Sequence, residues 1–302
     1  MGRIAFVFSG QGDQFPGMGK ELFERYESAA AVFKMCDEIR PGTSAQCFDG
    51  TEEELKITKN TQPCLFAMEL AAATVLTEAG VMPDAVAGFS LGEVVALTLA
   101  GIVDNETGFR LVCKRGEFMG REAEKCDASM AAVVKLSPET VERLCAKYTN
   151  VYPVNFNCPG QITVSGLSEQ MLALAEDVKA AGGRAIPLKV KGGFHSPFMK
   201  EAAVDFAFEL DEKVFSRGKI PVYSDVTAQP YTEDVTGLLA GQICNPVRWE
   251  DLIRNMIADG VDTFIEIGPG KTLTNMIGKI DGRVKRYSVC ELETLLSEVK
   301  PC

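Results

Sequence analysis

Ser90 stands in Gly88-Phe89-Ser90-Leu91-Gly92, between the short apolar run Ala85-Val86-Ala87 and a helix-forming stretch over residues 93–99. A Gly-x-Ser-x-Gly sequence at a strand-to-helix turn bends the chain so sharply that glycine must flank the serine, and the hydroxyl is left standing clear. The helix that follows aims its amino end, with free N–H groups and the positive end of its dipole, at any oxyanion formed there. The backbone N–H of Leu91 is the natural first donor. By itself the five-residue pattern also arises by chance in turns; its strand-turn-helix setting is what favours a nucleophile.

A serine hydroxyl needs a base, and imidazole is the usual one near neutral pH. The chain has a single histidine, His195, within Gly192-Gly193-Phe194-His195-Ser196-Pro197. A lone histidine is ordinarily a packed or surface side chain, but here glycines and proline fix it on a loop. Any Ser-His chemistry in this protein must therefore use His195. A third group should orient the imidazole, yet no carboxylate between Ser90 and His195 sits in a recognisable context. The residues alone leave that partner unassigned.

Two other chemistries are disfavoured. Gly270-Lys271-Thr272 looks like the end of a phosphate-binding loop, but the pattern requires glycine five positions before Gly270 and the residue there is Ile265. Ten cysteines, scattered from Cys36 to Cys302 without a C-x-x-C pair, and one histidine offer no zinc pattern. The apolar run at residues 4–8 is too short for an export signal, so the cysteines read as reduced thiols.

The elements that must position Ser90 and His195 alternate. Residues 4–8 read as a buried strand, a helix starts at Thr61-Gln62-Pro63, and 85–87 form a strand running into the elbow. Residues 93–99 read as a helix with one apolar face, 263–267 as a strand closed by Gly268-Pro269-Gly270, and Leu273, Met276 and Ile277 as the start of another helix. Such alternation implies an α/β fold with a parallel, helix-covered sheet. The middle of the chain differs: strand 131–135, a helix from Ser137 to about 148, strands 151–156 and 162–164, a helix capped by Ser168, and strand 184–190. That βαββαβ order is ferredoxin-like. The expected organisation is thus an α/β-hydrolase-like large subdomain, residues 1–125 and 192–302, with a ferredoxin-like small subdomain, 126–191, inserted into it.

Composition narrows the partners. The 302 residues are 46% hydrophobic, enough for a sizeable core. A net charge of −11 argues against nucleic acid and anionic membranes. No uncharged stretch is long enough to cross a bilayer. A monomer in the cytoplasm is the expectation.

Several motifs in order carry a resemblance over nearly the whole chain. They are Phe8-Ser9-Gly10-Gln11-Gly12-Asp13-Gln14, Gly88 to Glu93, Arg115-Gly116-Glu117-Phe118-Met119 and Asn155-Phe156-Asn157-Cys158-Pro159-Gly160-Gln161. Gly193 to Pro197, Asn245-Pro246-Val247-Arg248-Trp249 and Glu266 to Lys271 complete the set. Together they resemble the malonyl-CoA:acyl carrier protein transacylases and the related polyketide acyltransferase domains.

The resemblance implies Ser90 as the acylated nucleophile and His195 as its base, oriented by the backbone carbonyl of Gln242 rather than by a carboxylate. It implies backbone N–H groups of Gln11 and Leu91 at the oxyanion, and Arg115 on the free carboxylate of a malonyl group. A guanidinium grips a carboxylate through two parallel hydrogen bonds, which suits that role. The family usually has histidine where this chain has Phe89, beside the acyl pocket, and serine where it has Asp13. The implied partners are malonyl-CoA, as substrate with no cofactor, and an acidic acyl carrier protein. Lys189 and Lys191 are candidates to meet the carrier, as are Arg283, Lys285 and Arg286, although solvated charges would look the same. The competing readings are a discrete polyketide acyltransferase, a serine hydrolase of acyl carrier proteins, and an inactive relative that only binds them.

Overall fold

The β-strands, in chain order, are β1 (Arg3–Phe8), β2 (Ala85–Gly88), β3 (Ala128–Val134), β4 (Val151–Cys158), β5 (Gln161–Leu167), β6 (Arg184–Lys191), β7 (Val222–Tyr223), β8 (Val261–Ile267) and β9 (Lys285–Ser288). The computed structural model describes residues 2–211, 214–232 and 234–299, so Cys302 lies outside the described residues. The nine described cysteines are unpaired thiols, five of them buried.

Five strands form one parallel sheet in the order β7-β2-β1-β8-β9. Because side chains alternate across a strand, Ile4, Phe6, Phe8 and Val86 enter a core on one face of this sheet, with Phe66, Leu97 and Phe109. Ala5, Val7, Ala85 and Ala87 enter the other, with Trp249, Leu252, Ile253 and Ile277. Both faces being covered, β1 and β2 read in sequence as unbroken apolar runs rather than alternating ones.

Two helices on the first face differ from their expected form. The one expected at Thr61-Gln62-Pro63 begins earlier, spanning Thr58–Glu78 with Pro63 inside it. The missing proline N–H falls in the second turn, where it forfeits one bond rather than breaking the helix. Gly92–Leu99 is not one-faced: Gly92 through Thr98 are all buried, because the sheet, Thr58–Glu78 and Asn105–Ala123 enclose it. In that apolar helix Glu93 is the single charged residue. Asn105–Ala123 is held at its start by Asp104, whose side chain accepts the Thr107 N–H, and it carries Arg115 on its buried face.

The remaining strands make an antiparallel sheet, β4-β5-β3-β6, with helices Pro138–Cys145 and Ser168–Ala180. It has its own apolar core, including Val133, Val141, Ile162, Val164 and Leu174. β3 begins at Ala128, three residues before the expected start, and the first helix stops at Cys145. Ser168 is the first helical residue rather than the cap, its hydroxyl donating to Asp127 (3.0 Å). The chain enters this sheet at Ala128 and leaves it at Lys191, where the Gly192 N–H donates to the Ala128 carbonyl (3.1 Å). β4 is tied to the segment that leads into helix Trp249–Ala258: Phe156 N–H donates to Val247 O (2.9 Å) and Val247 N–H to Val154 O (2.8 Å). Among the described residues no helix is long and apolar enough to cross a membrane.

Candidate active site

Ser90 sits at the carboxyl end of β2, beside the carboxyl end of β1, where ligands gather in open α/β sheets. The two glycines around it are dictated by space. A β-carbon on Gly88 would lie 1.9 Å from the Gly92 carbonyl carbon, and one on Gly92 would lie 2.4 Å from Phe8 O. Ser90 itself has φ 56°, a left-handed conformation shared among described non-glycine residues by only Lys135, His195 and Ala228. Both chemically interesting side chains are thus held on strained backbone, which the surrounding packing must impose.

That strain brings them together across 105 residues of sequence. Ser90 Oγ lies 2.7 Å from His195 Nε2, and His195 Nδ1 lies 2.9 Å from the backbone carbonyl of Gln242. A carbonyl can only accept, so Nδ1 carries the proton and Nε2 is left basic and facing the serine. His195 N–H is fixed in turn to Ile243 O (3.2 Å). Burial, and secondarily the positive charge of Arg115, pushes the imidazole pKa down to about 4. The base is therefore neutral throughout the physiological range.

Arg115 is wholly buried and lies behind the serine. Its Nη2 donates to Ser90 Oγ (3.1 Å) and to Gln242 Oε1 (2.6 Å), its Nη1 to Gln62 Oε1 (2.9 Å), and its Nε has no partner among the described residues. Among the described residues no carboxylate comes within 4.0 Å of it. Burial lowers its pKa to about 10 against the opposing influence of Glu93 and Asp225, so it remains a cation. A buried cation with no carboxylate in direct contact is costly, and here it points at the nucleophile.

Below the elbow lie residues that the sequence reading did not single out. The Ser90 N–H donates to Asp225 Oδ2 (2.6 Å), and Glu93 accepts from Tyr231 OH (2.7 Å) and from the Asp225 N–H (3.1 Å). The Gln242 side chain spans both layers: its oxygen faces Arg115, while its Nε2 faces Ser90 O, Glu93 Oε2 and Asp225 Oδ2. Glu93 was visible as a lone charge in an apolar helix; Asp225 and Gln62 carried no comparable signal.

The hydroxyl opens on a small cavity of about 80 Å³, lined by Gln11, Phe89, Met119, Met130, Phe194 and Leu188 among others. The backbone N–H groups of Gln11 and Leu91 are without hydrogen-bond partners among the described residues, and both residues line the cavity. Phe89 stacks edge-on against Trp249, with ring centroids 5.5 Å apart. Lys189 and Lys191, on exposed edge strand β6, line two wider grooves that also reach Gln11. Neither forms an ion pair among the described residues, whereas Arg283 is paired with Asp281 and Arg286 bonds to backbone carbonyls.

A nucleophile, a neutral base and two free N–H groups around one cavity suit acyl transfer, and the sequence profile described as an acyl transferase domain matches residues 5–296. The chain belongs to that acyl transferase family. It is 41% identical over 303 residues to the malonyl CoA-acyl carrier protein transacylase of Bacillus subtilis, covering 98% of this chain and 96% of the relative. The malonyl CoA-acyl carrier protein transacylase structure from Clostridium perfringens superposes with a TM-score of 0.95 at 37% identity, covering 98% and 97% of the two chains. A type II polyketide malonyl-transacylase, solved in complex with its acyl-carrier protein, superposes with a TM-score of 0.93 at 34% identity, covering 98% and 99%. This acyl transferase shares its overall fold with both solved structures.

Proposed function

We propose that this protein transfers a malonyl group from malonyl-CoA to the phosphopantetheine thiol of an acyl carrier protein, supplying extender units for fatty acid synthesis. The observation that carries the reading is the buried, carboxylate-free guanidinium of Arg115 in contact with Ser90 Oγ. A neutral acyl group has no use for that charge; an acyl group ending in a carboxylate does.

The reaction is ping-pong. Ser90 Oγ attacks the thioester carbonyl as His195 Nε2 takes its proton, and the oxyanion is held by the N–H groups of Gln11 and Leu91. The C–S bond breaks, His195 returns the proton to the CoA sulfur, and malonyl-Ser90 remains, its carboxylate on Arg115. The carrier thiol then attacks with His195 again as base, and Ser90 is regenerated. Protons and the acyl group are conserved by Ser90, His195 and the two thiols, so the scheme calls for no cofactor. Because the Gln242 carbonyl is uncharged, the imidazole keeps the low pKa that burial gives it, and no acid is required as the third member.

Exposed Lys189 and Lys191 flank the crevice that leads to Gln11, which favours them over Arg283, Lys285 and Arg286 as contacts for an acidic carrier. Intact mass spectrometry after mixing with malonyl-CoA should show one malonyl adduct on Ser90, discharged by holo acyl carrier protein and absent in Ser90→Ala. An adduct discharged by water as fast as by carrier would identify a hydrolase instead. Faster discharge by a polyketide carrier than by a fatty acid carrier would assign the enzyme to polyketide synthesis.

A further inference from the structure

We infer that Glu93 and Asp225 form a proton-sharing pair beneath the nucleophile that tunes how strongly Arg115 favours a carboxylate-bearing acyl group. The inference rests on the reading of Arg115 given above and concerns two residues to which that reading assigns no part.

Both side chains are fully buried, and both face the same amide nitrogen. The orientation of that amide is fixed, because its oxygen must accept from Arg115 Nη2 at 2.6 Å. Gln242 Nε2 therefore carries the hydrogens, of which there are two. Three acceptors converge on it: Ser90 O at 2.7 Å, Asp225 Oδ2 at 3.2 Å, and Glu93 Oε2 closest of all. Asp225 Oδ2 also accepts the Ser90 N–H (2.6 Å), so two carboxylates meet at one amide, and Asp225 Oδ1 is buried with no partner among the described residues. A proton resident on the pair removes one of two like charges confined in a dry site. Aspartic-protease dyads share a proton for the same reason.

The charged and titratable groups facing the pair are few. Arg115 approaches from helix Asn105–Ala123 through the Gln242 amide, Tyr231 OH donates to Glu93, and neutral His195 lies beyond the Gln242 carbonyl. Burial raises the Glu93 carboxyl to about 7, and burial together with Glu93 holds Asp225 well above the carboxylate range. The first ionisation of the pair thus falls near neutrality and places a negative charge one amide away from Arg115.

A malonyl carboxylate seated on Arg115 meets that charge as a repulsion; an acetyl group does not. Malonyl preference should accordingly be highest when the pair is fully protonated and fall as pH rises through its first ionisation. Two charges separated by an amide in a medium of intermediate dielectric change the preference by roughly tenfold. The ratio of kcat/KM for malonyl-CoA over acetyl-CoA isolates this effect, since titration of His195 cancels.

The experiment measures that ratio from pH 5.5 to 8.5 by quenched-flow intact mass spectrometry, for the wild-type protein, Glu93→Gln and Arg115→Ala. The expected wild-type ratio falls about tenfold with an inflection near neutrality. Glu93→Gln removes the carboxyl that ionises first and leaves Asp225 Oδ2 to accept the Ser90 N–H. Its inflection should leave the position it holds in the wild type. A flat wild-type ratio, or an unmoved inflection in Glu93→Gln, overturns the pair. Should Glu93→Gln fail to fold, the wild-type profile alone decides. Arg115→Ala tests the underlying reading separately: persistent malonyl preference there refutes the Arg115 assignment itself, whatever the profile of the wild type.

Discussion

Replacing Arg115 with alanine should convert a malonyl-selective acylation into one that no longer distinguishes malonyl from acetyl. Among the described residues the guanidinium spends its hydrogen bonds on Gln62, Gln242 and Ser90, keeps a free Nε–H, and meets no carboxylate. A malonyl carboxylate can therefore take two charge-assisted hydrogen bonds. At about 1.5–3 kcal/mol each, their loss costs roughly 3–6 kcal/mol, or about 10²–10⁴-fold in kcat/KM for malonyl-CoA. Acetyl-CoA makes neither bond, so its kcat/KM should change by less than about tenfold.

The same substitution has a second signature. Arg115 is one of the two causes of the low His195 pKa, after burial. Without it the imidazole pKa rises, and the acid limb of the acetyl-CoA pH profile should move to higher pH. Burst amplitudes by intact mass spectrometry, with each thioester over a pH series, give both numbers. Retained malonyl selectivity with an unmoved acid limb would refute the placement of Arg115 as clamp and as neighbour of the base.

Three further outcomes are expected. His195→Ala should lower acylation of Ser90 by about 10²–10⁴-fold, while in the wild type, acylation should lose rate on the acid side only as pH falls through about 4, where the base becomes protonated; an acid limb near the ordinary histidine value, in a pH–rate series, would contradict the buried, neutral imidazole. Charge reversal at Lys189 and Lys191 should weaken transfer to the acyl carrier protein while loading from malonyl-CoA stays normal, and equal loss in both half-reactions would remove these lysines from the docking surface. Gly92→Ala drives a β-carbon to within 2.4 Å of Phe8 O, against backbone that cannot swing aside; a loss of about 1–3 kcal/mol is expected from the overpacking, measured by urea denaturation, and unchanged stability would mean the elbow is looser than its geometry implies.

Ser90 and His195 could be picked out of the sequence because their signals are local. The elbow glycines follow from how closely β1, β2 and the next helix approach, and a single histidine leaves no competitor. The alternation of strands and helices, and the βαββαβ order of the inserted unit, were legible for a similar reason: short apolar runs and helical spacing are written into neighbouring residues. The start of helix Thr58–Glu78 was misplaced because Pro63 looks like a beginning when read alone, whereas packing on three sides sustains the helix through it. Only the tertiary structure decided what orients His195 and what lies under Ser90. The orienting group is a backbone oxygen, which every residue possesses, so no side-chain pattern can announce it; Gln242 came into view only by likeness to a family. Asp225 and Gln62 reach the site from distant segments, and their weight comes from burial beside Arg115 and Glu93. Burial by other parts of the chain turns ordinary acids, amides and one guanidinium into a site, and that is a property of the fold rather than of any stretch of sequence.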